Sequence, residues 1–269
     1  MVSFPHCKIN LGLHVVSKRD DGYHTVETCF YPVPWTDILE IIPANGFSFT
    51  SSGAAIPGKE EDNLCIKAYH LLRSGFDMGP VKIHLHKVLP TRAGLGGGSS
   101  DAAFTLRMLN SIFDLRLSAD VLHGFASKLG SDCSFFIEDK PMLGSGRGEQ
   151  LEGLPLSLKG YYLVLIKPDI HVSTAEAYKG VKPHAPAQQL SEILKRPISE
   201  WGENLINDFE KSVFEKHPAI RQIKKKLYDS GALYASMSGS GSSVFGVFKS
   251  QMELANEFKG MQCWAGYLK

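Results

Sequence analysis

PTRAGLGGGSSDAA, from Pro90 to Ala103, is the stretch on which the reading of this chain turns. It follows an alternating apolar segment, Val81 to Leu89, and leads into Ala102, Leu106, Leu109 and Phe113, which repeat at helical spacing. A glycine-rich turn between a strand and a helix leaves backbone N–H groups pointing at an anion, and the positive helix end adds to them. Ser99 or Ser100 is placed to cap that helix, with Asp101 in its first turn. No Gly-Lys pair follows, so the G-x-x-x-x-G-K-[ST] phosphate loop is excluded. Ser99 stands where a dinucleotide fingerprint needs its last glycine. The loop reads as a phosphate grip of another kind, with a ligand-free glycine turn as the plain alternative.

Upstream, Lys8 to Val16 alternates with period two: Ile9, Leu11, Leu13 and Val15 share one face, Lys8, Asn10, Gly12 and His14 the other. Asp20-Asp21-Gly22 marks a turn before Tyr23 and His24. Further strands are predicted over 25–31 and 38–42, and an amphipathic helix from Asp62 to a stop at Gly75. Downstream, Ser118 and Gly130 bracket a helix over 119–129. The glycine-rich Gly144–Gln150 stretch is the expected joint between two domains, 1–145 and 146–269. The second half reads as a strand at 161–166, a short helix after Ser173 and a helix near 204–214. Another helix follows Pro218, two strands flank SGSGSS, and a last helix starts near Gln251. Strands and helices interleave in both halves, so the fold class is α+β.

A chain of 269 residues with 43% hydrophobic residues can bury a substantial core. A net charge of +1 argues against a broad nucleic-acid-binding face. Cys7, Cys29, Cys65, Cys133 and Cys263 are scattered, without a C-x-x-C pair, and read as reduced packing residues. No signal-peptide pattern or membrane-length apolar run occurs, so a cytoplasmic location is expected. His84 and His86 share a strand face, but no third ligand is near in sequence, so an exposed polar face is expected there and no metal ligand set is assigned. Lys224-Lys225-Lys226 reads as a solvated helix side, and Ser173-x-x-Glu176 as a capping box.

Three motifs in order resemble the GHMP kinases: Pro5-His6-Cys7-Lys8-Ile9-Asn10-Leu11, the Pro90 loop with its Gly94-Leu95-Gly96 core, and Ser236 to Ser243. The resemblance implies an ATP-dependent kinase of small molecules. It also implies a two-domain GHMP-kinase-like fold, with a ribosomal-protein-like N-terminal domain and a ferredoxin-like C-terminal one. Asp21-Gly22-Tyr23-His24, Leu129-Gly130-Ser131-Asp132 and KPDIHVSTAEAY are most similar to the branch of the non-mevalonate isoprenoid pathway that phosphorylates a cytidine diphosphate-linked methylerythritol. His6-Cys7 departs from the small residues usual before the lysine in that branch.

By that resemblance Asp132 is the base and Lys8 its positively charged partner. Asn63, Lys87, Pro90, Arg92, Ala93, Gly94, Leu95, Gly96, Gly97, Gly98, Ser99, Ser100 and Gly239 would hold ATP. Asn10, Tyr23, His24, Thr174 and Tyr178 would hold the acceptor, with Tyr178 facing Tyr23 and His24 across the cytosine. Mg2+ would bridge the phosphates with few protein ligands. The expected partners are the two substrates, with no nucleic acid and no membrane. Two other readings stand beside this one: a homoserine or mevalonate type of kinase, and a non-catalytic nucleic-acid module.

Overall fold

The computed structural model describes residues 1–269, apart from the side chain of residue 255. Its first half runs β1 (Val2–Ser3), β2 (His6–Lys18), β3 (His24–Thr36), β4 (Ile38–Pro43), β5 (Ser48–Gly53), α1 (Leu64–Arg73), β6 (Val81–Lys87), α2 (Gly97–Ile112), α3 (Ala119–Leu129) and α4 (Phe135–Glu138). Then come β7 (Met142–Ser145), β8 (Gln150–Gly153), β9 (Tyr162–Lys167), α5 (Thr174–Lys179), α6 (Leu190–Leu194), α7 (Phe209–Lys216), α8 (Pro218–Asp229), β10 (Tyr234–Met237), β11 (Val244–Phe248) and β12 (Gln262–Tyr267). The expected α+β class is what forms.

The chain divides into two compact units with interrupted boundaries: residues 1–7, 34–91 and 96–140, then residues 8–33, 92–95 and 141–269. A single cut after residue 145 therefore does not describe the packing, because most of β2 and β3 belongs with the later residues. Nor is Gly144–Gln150 a joint. It turns the β7–β8 hairpin, in which Ser145 pairs with Gln150. A glycine-rich polar stretch suits a hairpin turn as well as a linker.

In the first unit four strands lie in the order β1-β4-β6-β5, with β4 antiparallel and β5 parallel to the central β6. The parallel pair requires a crossover, which α1 supplies. Alternation decides the faces: Leu39, Ile41, Ile83 and Leu85 are buried, with Cys65, Ala68, Leu72, Ala102, Leu106 and Leu109 of the helices also in the core. On the β5–β6 surface His84 bonds Thr50 and Ser52, and His86 bonds the same serine. That is a hydrogen-bonded polar row, as the spacing suggested.

The second unit holds two sheets, β2-β3-β7-β8 and the antiparallel β10-β11-β9-β12. Leu13, Val15, Val164, Ile166, Phe209, Ile223 and Leu227 contribute to one buried cluster there. The helix expected near Gln251 is only a single 3-10 turn, Ala255–Phe258, and the chain closes instead with β12 on the edge of the sheet. Ser173 accepts from the Glu176 N–H, while the Glu176 carboxylate turns to His217 and Lys216, so only half of the capping box forms. No helix among the described residues is long and apolar enough to cross a membrane.

Candidate active site

In the first unit the helix after the glycine-rich loop starts earlier than the serines suggested. Gly96 is the N-cap of α2, at φ +69°, and no side chain caps it. A left-handed residue there costs a glycine little, and the helix begins at Gly97 with Ser99 and Ser100 already inside its first turn. The N–H groups of that turn thus have no side-chain acceptor, the condition for an anion site on a helix of this length. Ser100 is fully buried, and its hydroxyl has no hydrogen-bond partner.

Beneath the loop sits Lys87, 4% exposed, at the end of β6. Its Nζ donates to Asp37 at 2.5 Å and to Asp101 at 2.7 Å. The other Asp37 oxygen accepts from the N–H groups of Val88 and Leu89. A Cβ on Gly97 would lie 3.2 Å from the Lys87 ammonium, so helix start and lysine are in close packing. Burial alone would depress Lys87, but Asp101 and Asp37 outweigh it and hold its pKa above the usual lysine value. Burial pushes the Asp101 carboxyl up to about 7 against the pull of Lys87, and Asp37 adds to the push. Asn63, expected near the purine, is half-buried and caps α1 by accepting from the Cys65 N–H at 2.9 Å.

Asp132 lies where the sequence placed it, in a turn just past Gly130, which closes α3 with its N–H on the Ala126 carbonyl. The turn packs on the start of α2: a Cβ on Gly130 would be 3.4 Å from Cys133 Sγ and 4.0 Å from Ser99 Oγ. Ser99 lies beside the Cys133 thiol, which burial pushes up to about 12. Cys133 therefore stays a packing thiol. In this unit the turn that carries the half-buried Asp132 thus packs beside the uncapped start of α2.

In the second unit the polar face of β2 is not open to water. Lys8 is 3% exposed and Asn10 2%. The Lys8 Nζ donates to Asn10 Oδ1 at 2.6 Å and to the Gly94 carbonyl at 3.2 Å. Asn10 in turn donates to Thr28, whose hydroxyl donates to the Gly12 carbonyl. The loop between β10 and β11 joins this network: Ser238 donates to the Gly94 carbonyl, and the Ser243 N–H donates to the Ala93 carbonyl. Gly94 has φ +77°, and a Cβ there would lie 2.1 Å from the Ser238 carbonyl oxygen, so only glycine allows this approach. Asn207 donates to the carbonyls of Met237 and Gly239, and Thr174 Oγ1 lies 3.4 Å from Ser240 Oγ.

Tyr23 is an exposed aromatic, with the Arg147 guanidinium 5.1 Å from its ring centroid. Its position is set by Asp21, which accepts from the Tyr23 N–H and pairs with Arg19. His24 and Tyr178 do not stand apart as two walls. Their rings stack on each other, centroids 4.7 Å apart and planes 19° from parallel. A base between them needs about 7 Å, two stacked contacts, so the expected sandwich is closed in this state.

Asp37, Thr28, Arg147 and Asn207 escaped the sequence reading, whereas Ser238 lies within the third motif quoted from the sequence. Each missed residue meets its partner across long sequence separations or through turns, and no local pattern marks it.

Two family descriptions match the chain: the GHMP kinases N terminal domain over residues 63–139 and the GHMP kinases C terminal domain over residues 189–263. A curated relative from Cytophaga hutchinsonii, 4-diphosphocytidyl-2-C-methyl-D-erythritol kinase, is 54% identical over 259 residues, 96% of each chain. The protein of the same name from Parabacteroides distasonis is 50% identical over 270 residues, covering 100% of both. Among solved structures, a 4-(cytidine 5'-diphospho)-2C-methyl-D-erythritol kinase aligns with a TM-score of 0.86 and 30% identity, over 100% of this chain and 99% of that one. A mevalonate kinase from Methanococcus jannaschii aligns with a TM-score of 0.72 at 14% identity, over 100% of this chain and 98% of that one, which is likeness of fold alone.

Proposed function

We propose that this chain, which belongs to the GHMP kinase family, transfers the γ-phosphoryl group of ATP to the 2-hydroxyl of 4-(cytidine 5'-diphospho)-2-C-methyl-D-erythritol. In the step the hydroxyl oxygen bonds to the γ-phosphorus and the bond from that phosphorus to the β,γ-bridging oxygen breaks. ADP leaves, and the hydroxyl proton passes to Asp132. Such transfers depend on positioning and on charge stabilisation more than on covalent chemistry.

The observation that carries the reading in this chain is the packing of the Asp132 turn on the uncapped start of α2, through Gly130, Cys133 and Ser99. Phosphate held by the first-turn N–H groups then lies beside the carboxylate that receives the proton. Lys8, aimed by Asn10 and Gly94, supplies positive charge to the transferring group. The loop donors Ser99 and Ser100 are hydroxyls, the hard oxygen ligands that suit Mg2+, while Asp101 is engaged by Lys87. When bound with ATP, Mg2+ would neutralise charge on the phosphate oxygens. Tyr23, His24 and Tyr178 hold the cytosine end, and Thr174 sits beside Ser240.

ADP release with four acceptors tests the assignment: the cytidylylated methylerythritol, homoserine, galactose and mevalonate. Turnover is expected with the first, and turnover only with another would overturn the substrate. Asp132→Asn should lower kcat by about a thousandfold while ATP binding, read by fluorescent-nucleotide displacement, is retained. Near-normal kcat would remove Asp132 from the role of base.

A further inference from the structure

We propose that His14, His184 and Asp208 form a binding site for one transition-metal dication of the zinc class, separate from the magnesium that accompanies ATP. One ligand atom from each of the three lies within 4.8 Å of the other two. His14 Nδ1 is 3.6 Å from Asp208 Oδ1, and His184 Nδ1 is 3.8 Å from Asp208 Oδ2. Donors around a tetrahedral zinc ion stand about 3.3 Å apart, given metal–nitrogen distances near 2.0 Å. Both contacts to Asp208 are thus within about half an ångström of the spacing that ligation requires.

The second observation is His14 itself. It is 4% exposed, and neither ring nitrogen has a hydrogen-bond partner. A buried imidazole left in that condition is unfavourable, because a neutral ring always carries one N–H to donate and one nitrogen to accept. A metal ion bound to one nitrogen removes that cost where the ring now faces a carboxylate at a distance too long for a hydrogen bond.

The backbone holds the three side chains in register. The Asp208 N–H donates to the Leu13 carbonyl, the Leu13 N–H to the Ile206 carbonyl, and the His184 N–H to the Val15 carbonyl. Asp208 Oδ2 also accepts from the Val15 N–H at 2.8 Å, which fixes the carboxylate. His184 is half-exposed and gives an ion access from solvent.

Donor chemistry selects the ion. Two imidazole nitrogens and one carboxylate suit Zn2+ or Co2+, whereas Mg2+ demands oxygen ligands in an octahedron. An ion here would cross-link β2 to the segment ending at Asp208. The neighbouring Asn207 holds the Met237 and Gly239 carbonyls of the C-terminal glycine loop, so the cross-link sits next to that loop's anchor.

The test is cobalt titration of the untagged protein in buffer containing excess Mg2+. One equivalent per chain is expected, with visible d–d bands of a nitrogen and oxygen environment. Zn2+ should compete it out and raise the thermal midpoint, as any ligand of the folded state does. His184→Ala removes an exposed ligand, and Asp208→Asn keeps an oxygen for the Val15 N–H while removing the charge. Each should weaken cobalt binding about tenfold or more. Failure to bind stoichiometrically overturns the proposal. So does affinity unchanged in both variants, which would place the ion elsewhere, for instance at the exposed Cys263.

Discussion

Lys8 and Lys87 are hidden to nearly the same degree, 3% and 4% exposed, one in each compact unit. Lys87 lies between two buried carboxylates, both within hydrogen-bond distance. Among the contacts of Lys8 are an amide oxygen and a backbone carbonyl, which aim its ammonium. Burial of a lysine is thus no sign of catalysis by itself. In Lys87 the pairing is explicit: Asp37 and Asp101 hold its ammonium at the end of β6 against α2, under the glycine loop.

The sharpest way to break that comparison is to remove each ammonium in turn. Lys87→Met leaves Asp37 and Asp101 buried without their counter-charge, and the unfolding free energy from urea titration should fall by about 3–5 kcal/mol. Lys8→Met should instead lower kcat by about a hundredfold to a thousandfold in the protein that remains folded. If Lys87→Met kept its stability and lost only turnover, the lysine would belong with the nucleotide and not with the scaffold.

Titration sharpens the same contrast. Burial raises the Asp101 carboxyl from 3.8 to about 7, so between those values the folded chain holds a proton that the unfolded chain has released. Its contribution to stability is complete below the lower value and is lost as the pH rises through the upper one. The slope cannot exceed about 1.4 kcal/mol per pH unit, the value for one proton. The raised Lys87 acts at the alkaline end, where stability present below 10.5 is lost as the pH passes its folded value. Urea midpoints of wild type and Asp101→Asn from pH 4 to 8 check the acidic part. Parallel curves would mean that Asp101 is ionised throughout.

The same two regions show what a sequence makes legible. The face shared by Lys8 and Asn10 follows from strand alternation, and the Ser118 and Gly130 helix limits follow from capping chemistry. Both are local, and local rules carry them. The resemblance singled out Lys87, but its ion pairs could not be read, because Asp37 comes from 50 residues upstream and Asp101 looked like a first-turn helix acid. The helix start was misplaced by the serines because Gly96, with its positive φ, provides an earlier one. β12 was missed because an edge strand alternates only weakly between covered and open positions.

The smallest effect concerns the aromatic pair, where the structure departs from the expected sandwich. His24 and Tyr178 stack on each other, and Phe209 meets Tyr178 edge-on at 4.8 Å. A cytosine entering between the first two must separate them, exchanging one ring stack for two base stacks. Since an aromatic pair is worth about 0.5–1.5 kcal/mol, the net gain is modest. Tyr178→Leu removes both the closed stack and one wall, so KM for the cytidine substrate should rise about threefold to tenfold with kcat held. His24→Ala removes the other ring of the stack, and its KM should rise by a similar factor. Steady-state kinetics of the two variants measure these effects. Equal KM values for wild type and both variants would mean that the pair stays closed and the base stacks elsewhere, with the exposed Tyr23 ring beneath Arg147 as the surface to examine.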